Sequence, residues 1–199
     1  MSYWEKINMI ANAIEFLLQT VLGLFTLVLL LRFYFQLTGV PYKNPVSQAL
    51  LALTDFVAQP TRRFIPNWGS ISLSILFLAF LVQLFLQFSV LWLKDFPFML
   101  AGSTIWIALL GLTLVGLLKL SIHIFLYGVI LQAILSWVNP YTPVAPVLDA
   151  LTRPLLKPLR RIVPLVGGID LSPLIVLIGG QLLLILLVTP LEQVFLHLL

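Results

Sequence analysis

The sequence predicts an all-α membrane protein in which four transmembrane helices form two parallel-oriented tandem repeats, each a helical hairpin with an amphipathic cytoplasmic link. The first reason is composition, because 61% of the 199 residues are hydrophobic and 9% are charged, whereas a soluble domain carries about 25% charged residues. The second is that four apolar stretches are long enough to cross a bilayer, which takes about 20 residues. The third is a duplication, in which Pro143 lies 98 residues after Pro45 and other residues match at the same offset.

The charge and the cysteine content exclude several classes of function. The formal net charge is +4, from 11 basic and 7 acidic residues, which is too small and too local for a nucleic-acid-binding surface. We therefore expect no direct nucleic-acid partner. The chain has no cysteine, and this excludes disulfides and thiolate metal sites.

The first span is predicted at about residues 10–37, which are apolar except for Glu15, Gln19 and Arg32. A signal peptide has a shorter apolar core that is followed by a small-residue cleavage site. Here the run Arg-Phe-Tyr-Phe-Gln follows instead. We therefore interpret this segment as a membrane anchor.

The other three spans are identified by the same length rule. They are predicted at about residues 71–93, 111–135 and 171–188. The apolar run that contains the third span covers residues 99–138 and is too long for one crossing, so it must tilt or begin with a portion that lies at the surface. Asp170 or Ser172 is predicted to cap the fourth span, with Pro173 near its first turn.

Each link between the two spans of a repeat is predicted to form a helix at the membrane surface. Asn44 and Pro45 in the first link combine an N-cap residue with proline at the first helical position. Thr142 and Pro143 supply the same combination in the second link.

The second link is predicted to be amphipathic, because its apolar residues step by three and four along one side and its basic residues follow the other. The two sets are Leu148, Leu151, Leu155, Leu159 and Ile162 against Arg153, Lys157 and Arg160. Such a helix lies in the interface plane with its basic side toward the headgroups. Pro154 and Pro158 are expected to break or bend it, since each lacks a backbone donor.

The two copies share proline, glycine, threonine and an Arg-Arg pair in one register, which indicates an internal duplication. The second copy reads T-x-P-x-x-x-P-x-R-R-h-h-P, where h is apolar, followed by a glycine and D-x-S-P. The residues that carry this pattern are Thr152, Pro154, Pro158, Arg160, Arg161, Pro164, Gly167, Asp170, Ser172 and Pro173. The pattern resembles the YggT family of integral membrane proteins, also called YlmG. We place the first YGGT repeat at residues 1–98 and the second at residues 99–199.

The first copy departs from this pattern at three positions. Phe56, Ser72 and Ile75 stand where the second copy has Pro154, Asp170 and Pro173. A role that needs Asp170 and its counterpart to act as a symmetric pair is therefore not expected.

The basic residues predict the orientation, since short cytoplasmic loops are enriched in lysine and arginine. Seven of the eleven basic residues lie in the links: Lys43, Arg62, Arg63, Arg153, Lys157, Arg160 and Arg161. The central loop contains only Lys94. We therefore predict that links 38–70 and 138–170 are cytoplasmic and that both termini are periplasmic.

The residues needed for enzymatic chemistry are not arranged in a recognisable set. His123 and His197 are the only histidines, and neither has another histidine or a carboxylate three or four residues away. Because hydrolytic and metal chemistry requires positioned acids and bases, we expect no enzymatic activity, no metal site and no cofactor.

Several polar side chains fall within the predicted spans: Glu15, Arg32, Gln83, Lys119, His123 and Gln181. A charge in hydrocarbon costs at least about 2.5 kcal/mol, so it usually faces a partner or a wet cavity. We predict that Glu15 pairs with Lys119, although they differ in depth by about six residues, or about 9 Å. They either neutralise each other as a packing contact or line an ion or proton path. Arg32 is expected to reach the inner headgroups, and Gln83 and Gln181, which align, to bond between helices.

Six basic residues of the links are candidate lipid- or partner-binding residues: Arg62, Arg63, Arg153, Lys157, Arg160 and Arg161. They either serve topology alone or also bind anionic headgroups or an acidic cytoplasmic partner. Each basic residue near a charged leaflet contributes about 1 kcal/mol. Their repeated spacing beside prolines favours more than a topological role.

The resemblance implies a non-enzymatic bacterial inner-membrane protein that supports tolerance of osmotic or salt stress through potassium or ion homeostasis. The alternative is a membrane scaffold or assembly factor that binds anionic lipid or a cytoplasmic partner and is linked to division, nucleoid organisation or cytochrome assembly. A path through four helices leaves little room for a pore, so transport would require a homo-oligomer.

Overall fold

A computed structural model describes residues 3–63, 65, 72–94, 96–98, 102–139, 141–163 and 170–199, with side chains from Met9 onward. Six helices, and no strand, are found in these ranges. They are α1 (Tyr3–Thr38), α2 (Pro45–Thr61), α3 (Leu73–Leu93), α4 (Thr104–Val138), α5 (Ala145–Ile162) and α6 (Ser172–Leu196). Four of them, α1, α3, α4 and α6, are long and apolar enough to cross a membrane. The predicted all-α class with four spans is therefore confirmed.

Two of the spans are longer than predicted. The helix α4 is continuous over 35 residues, or about 52 Å at 1.5 Å per residue, so no separate first portion precedes the predicted core at 111–135. The helix α6 continues past residue 188 to Leu196. A π-helical turn at Leu184–Val188 precedes Pro190, and both the backbone N–H and the hydroxyl of Thr189 bond to the carbonyl of Leu184. This wider turn accommodates a proline that would otherwise interrupt the helix.

The repeats pack as two hairpins that meet in one apolar cluster, while a second cluster joins α4 and α6. The helix α1 lies along α3, and α4 lies along α6, while α5 contacts α1 as well as α4 and α6. Buried Leu30 of α1, Ile75 of α3, Ile124 of α4 and Leu151 of α5 belong to one apolar cluster. The link helices are therefore packed against the spans rather than standing apart from them.

The N-cap prediction is confirmed in the first link and wrong in the second. The Asn44 side-chain oxygen accepts a hydrogen bond from the N–H of Val46 at 2.9 Å. In the second link the helix begins at Ala145, and the hydroxyl of Thr142 makes no hydrogen bond. The physical reason is that Asn44 Nδ2 donates to the carbonyl of Pro143 at 2.7 Å, which keeps Pro143 in the turn that precedes α5.

The prolines of α5 do not break the helix. Residues 145–162 are continuously helical through Pro154 and Pro158, both of which are exposed. The opposite side of α5 is buried at Leu148, Leu151 and Leu156. Packing of that face supplies the stability that the missing backbone donors remove, because tertiary contacts contribute most of the stability of a short helix.

Candidate functional site

The α5 basic surface consists of Arg153, Lys157, Arg160 and Arg161, all of them exposed. Arg153 binds Asp149 at 2.7 Å and Arg160 binds Asp170 at 2.8 Å. Lys157 and Arg161 form no ion pair with a described acidic side chain. Four cations and two acids leave a charge of about +2 on one exposed side of α5, which is high enough to attract anionic groups.

The apolar side of α5 differs from the predicted stripe. Leu148 and Leu151 are buried as predicted, and Leu156 is buried with them, whereas Leu155 and Ile162 are exposed. The buried side is shifted because α5 contacts α1, α4 and α6 together. The helix therefore presents its cations on one side while its other side is fastened to the spans.

Asp170 precedes the start of α6 and neutralises Arg160. The helix begins at Ser172 and its N-cap position is Leu171, so the predicted cap at Asp170 or Ser172 is wrong. Asp170, one residue earlier, nevertheless accepts the N–H of Ser172 at 2.9 Å. Burial alone would raise the pKa of Asp170, but donation from Ser172 and from Arg160 outweighs it and holds the pKa below its ordinary value. The stabilisation by this carboxylate is therefore present above the pKa of an unfolded aspartate and is lost as the pH falls through the lower folded value.

The basic residues of the first link lie at the end of α2. Arg62 and Arg63 are exposed and form no ion pair with a described acid. The equivalent of Asp170 in this repeat is Ser72, whose hydroxyl bonds Gln36 of α1 instead. The two links therefore carry related arginines in different electrostatic surroundings.

Arg32 does not reach the headgroups as predicted, because its side chain is only 5% exposed. It donates to the hydroxyl of Thr54 at 2.5 Å and to Asp55 at 2.7 Å. Both acceptors belong to α2, so the buried guanidinium fastens the first link to α1. Asp55 was not among the residues predicted from the sequence; the signal that could have found it is that Asp55 is the single acidic residue of the first link.

The second repeat uses a different residue for the same contact. Gln132 of α4 bonds the hydroxyl of Thr152, and it donates to Asp149 at 3.3 Å. Thr152 and its counterpart Thr54 are both fully buried. A threonine in each link is therefore tied to the first helix of its repeat, by an arginine in one repeat and by a glutamine in the other.

The predicted Glu15–Lys119 pair is wrong. Glu15 pairs with Lys94 at 2.8 Å, and Lys119 pairs with Glu192 at 2.8 Å. Each pair joins the two spanning helices of one repeat away from the links: Lys94 and Glu192 lie near the ends of α3 and α6 that are remote from the links, whereas Lys119 lies near the middle of α4. The hairpin packing decides the partner, because Lys94 directly follows α3 and Glu192 lies in the last turns of α6.

The two ion pairs have opposite polarity. Lys94 and Glu192 occupy equivalent positions, 98 residues apart, yet they carry opposite charges. In repeat 1 the acid, Glu15, belongs to the first helix, whereas in repeat 2 the acid, Glu192, belongs to the second helix. Exchange of the second helices between repeats would place Glu15 near Glu192 and Lys94 near Lys119, and such like-charge contacts are unfavourable. The charges therefore favour the observed hairpins.

The remaining polar residues of the spans are not gathered in one place. The ring of His123 bonds the carbonyl of Lys119 through Nδ1 at 2.7 Å and lies 5.6 Å from the ring of Tyr127. Gln83 is buried and its Oε1 makes no hydrogen bond, whereas Gln181 is exposed. The predicted hydrogen bonds of Gln83 and Gln181 between helices are thus not found among the described residues.

Comparison with known proteins agrees with this architecture. The CCB3/YggT family pattern matches residues 11–93 and 111–191, which correspond to the two halves. A Pseudomonas aeruginosa protein is 36% identical over 174 residues, covering 86% of each chain. The Escherichia coli K12 protein named YggT is 40% identical over 169 residues, covering 84% of this chain and 85% of its own.

A third relative extends the comparison to Haemophilus influenzae. It is 33% identical over 159 residues, covering 79% of this chain and 82% of its own. No solved structure matches the chain. With the family pattern covering both halves and relatives aligned over most of their length, the chain belongs to the CCB3/YggT family of membrane proteins.

Proposed function

We propose that this protein is a non-enzymatic, multi-pass scaffold of the bacterial inner membrane whose α5 basic surface binds anionic lipid headgroups. The observation that carries the proposal is the position of Lys157 and Arg161, which are exposed and form no ion pair with a described acid. Their helix is fastened by its other face, at Leu151 and Leu156. A cationic surface held at a fixed place beside the spans suits an anionic leaflet.

The orientation in this proposal places both links in the cytoplasm and both termini in the periplasm. Asn44 of the first link bonds Pro143 of the second at 2.7 Å, so both links lie at the same end of the bundle. The links contain seven of the eleven basic residues. Short loops with that enrichment remain cytoplasmic in most membrane proteins.

We further propose that the protein supports osmotic or salt-stress tolerance and potassium homeostasis. It does so through the α5 basic surface and not through an ion path within one chain. A path would need Glu15, Lys119 and His123 in one wet cavity. Glu15 instead pairs within repeat 1 and Lys119 within repeat 2. Contacts between exposed charges weaken as the ionic strength rises, since the screening length falls to about 3 Å at 1 M salt, and this makes such a surface sensitive to salt.

The headgroup proposal predicts a loss of anionic-lipid binding when the two free cations are removed. Lys157→Gln/Arg161→Gln is expected to lower the affinity for phosphatidylglycerol by about 2 kcal/mol, or about thirtyfold. The measurement uses a variant with Trp137 as its only tryptophan, reconstituted in phosphatidylcholine. Quenching of the exposed Trp137 at the end of α4 by brominated phosphatidylglycerol then gives the relative binding constant.

The matched control is Lys94→Gln/Lys119→Gln, which removes the same charge away from the links. We expect it to leave the quenching curve unchanged. Equal loss in both double variants would show that net charge alone governs lipid binding, and no loss in either would refute the headgroup proposal.

The cellular part of the proposal predicts that Lys119 is dispensable and the α5 cations are not. Cells that lack the protein are complemented at matched membrane levels with wild type, Lys119→Leu or Lys157→Gln/Arg161→Gln. After a salt upshift, we expect wild-type cytoplasmic potassium and survival with Lys119→Leu and a defect with the double variant. Loss through Lys119→Leu alone would favour an intramembrane path. If cells that lack the protein keep wild-type potassium and survival, the osmotic interpretation is wrong. The alternative is then a scaffold that binds a cytoplasmic partner in division, nucleoid organisation or cytochrome assembly.

A further inference from the structure

A cavity at the link end of the second repeat lies between α4, α5 and the start of α6. Its volume is about 460 Å³, within the range of about 300–1,000 Å³ that is typical of small-ligand sites. The buried side chains of Val129 and Leu156 belong to its apolar wall, and the exposed ring of Trp137 also lines it. The cavity is therefore large enough for a lipid headgroup.

The polar wall of the cavity contains one positive and one negative group. Arg160 of α5 and Asp170 before α6 line it as an ion pair, with Nε 2.8 Å from Oδ2. Neither side chain is buried, since 46% of Arg160 and 31% of Asp170 are exposed. Lys157 and Arg161 are not among the lining residues, so the charges of the lining cancel.

The ion pair leaves hydrogen-bonding capacity on both of its partners. Arg160 donates to Asp170 through Nε, and its terminal nitrogens make no hydrogen bond to a described residue, although a guanidinium has five N–H donors. Asp170 accepts the N–H of Ser172 at Oδ1 and Arg160 at Oδ2, whereas a carboxylate offers about four acceptor sites. A ligand that has both an anionic acceptor and a cationic donor would use the capacity of both.

The first repeat lacks this arrangement. The residues 98 positions before Asp170 and Ala133 are Ser72 and Phe35. Ala133 lines the cavity, and its small side chain leaves space that a phenylalanine would occupy. The second repeat therefore combines a carboxylate with an open space, and the equivalent positions of the first repeat supply neither.

We propose that this cavity binds the headgroup of a zwitterionic aminophospholipid, with its phosphate on the terminal nitrogens of Arg160 and its ammonium on the carboxylate of Asp170. Phosphatidylethanolamine carries these two groups on either side of an ethylene unit, so its dipole can lie antiparallel to the ion pair. A lining without net charge favours such a ligand over an anionic one.

The apolar wall favours a lipid over a soluble compound with the same headgroup. Val129 and Leu156 lie beside the ion pair in one cavity, and they suit the apolar part of a phospholipid. This site is separate from the proposed binding of anionic lipid by Lys157 and Arg161, and the two stand or fall independently.

The test measures binding of the first lipid to the full-length protein by native mass spectrometry in a neutral detergent. Phosphatidylethanolamine, phosphatidylcholine and phosphatidylglycerol are added separately. We expect phosphatidylethanolamine to bind about tenfold more tightly than phosphatidylcholine, whose quaternary ammonium has no N–H to donate, because one hydrogen bond to a charged group contributes about this factor. Asp170→Asn should lose the preference and bind phosphatidylglycerol at least as tightly as wild type, since Arg160 is then unpaired.

Asp149→Asn is the matched control, because it removes the same charge outside the cavity, and it should keep the wild-type preference. Ala133→Phe introduces the residue of the first repeat and should weaken phosphatidylethanolamine binding without a change of charge. The melting temperature without lipid shows whether the variants are folded. If folded Asp170→Asn and Ala133→Phe both bind phosphatidylethanolamine as tightly as wild type, or if wild type does not prefer it to phosphatidylcholine, the proposal is wrong.

Two further arms separate the alternatives. Lys157→Gln/Arg161→Gln should lose phosphatidylglycerol binding and keep the preference for phosphatidylethanolamine, so failure of the α5 basic surface and failure of the cavity are distinguishable. The other arm compares phosphatidylethanolamine with glycerophosphoethanolamine, the same headgroup without acyl chains. We expect only the lipid to raise the melting temperature of wild type. An equal rise with both would overturn the lipid as the occupant of the cavity.

Discussion

Asp55→Ala is expected to destabilise the folded protein by about 3 kcal/mol, because it leaves the buried charge of Arg32 uncompensated. Arg32 is 5% exposed and Asp55 is 38% exposed, so the arginine is the group that is stranded. Thr54 alone remains as its acceptor. The measurement is the midpoint of unfolding in a mixed-micelle titration of denaturing detergent.

The second repeat supplies the control for this prediction. Asp149→Ala removes an acid that binds the exposed Arg153 at 2.7 Å, and exposed pairs contribute about 0–1 kcal/mol. The double replacement Arg32→Met/Asp55→Leu removes both charges and should recover most of the stability. If Asp55→Ala and Asp149→Ala lower the stability of the folded protein equally, the uncompensated charge of Arg32 is not the cause.

Gly180→Ala is expected to destabilise α6 against α4 by about 1–3 kcal/mol, the range for overpacking a filled contact. A Cβ at Gly180 would lie 2.4 Å from Cδ2 of Leu126, and Leu126 is itself buried. The leucine therefore has little space into which it can withdraw. The melting temperature in detergent measures the effect.

The neighbouring Gly179→Ala is the matched variant, since nothing lies within 4 Å of a Cβ at that position. Both replacements raise helix propensity by about 0.8–1 kcal/mol, so Gly179→Ala should be neutral or stabilising. If both variants lose stability equally, the cause lies in the helix itself and not in its contact with Leu126.

The sequence by itself determined the class of protein, the number of spans and the duplication. The length of an apolar segment can be read from consecutive residues. It does not depend on which helices later pack together, because a residue in the bilayer must be apolar or have its polar groups paired in any arrangement of helices. The Asn44 cap was also predictable, because a cap bonds a backbone N–H two positions away. The ends of the spans were less predictable, as in α6, where a π turn before Pro190 carries the helix onward.

Only the tertiary structure decided which charges meet. Glu15 contacts Lys94 and Lys119 contacts Glu192, because helix packing sets partners that no spacing in the chain records. Arg32 is buried against Asp55 rather than extended to the headgroups for the same reason. A side chain with several rotatable bonds can reach a headgroup or a neighbouring helix, and the sequence does not distinguish these outcomes. The packing of α2 on α1 selects one of them.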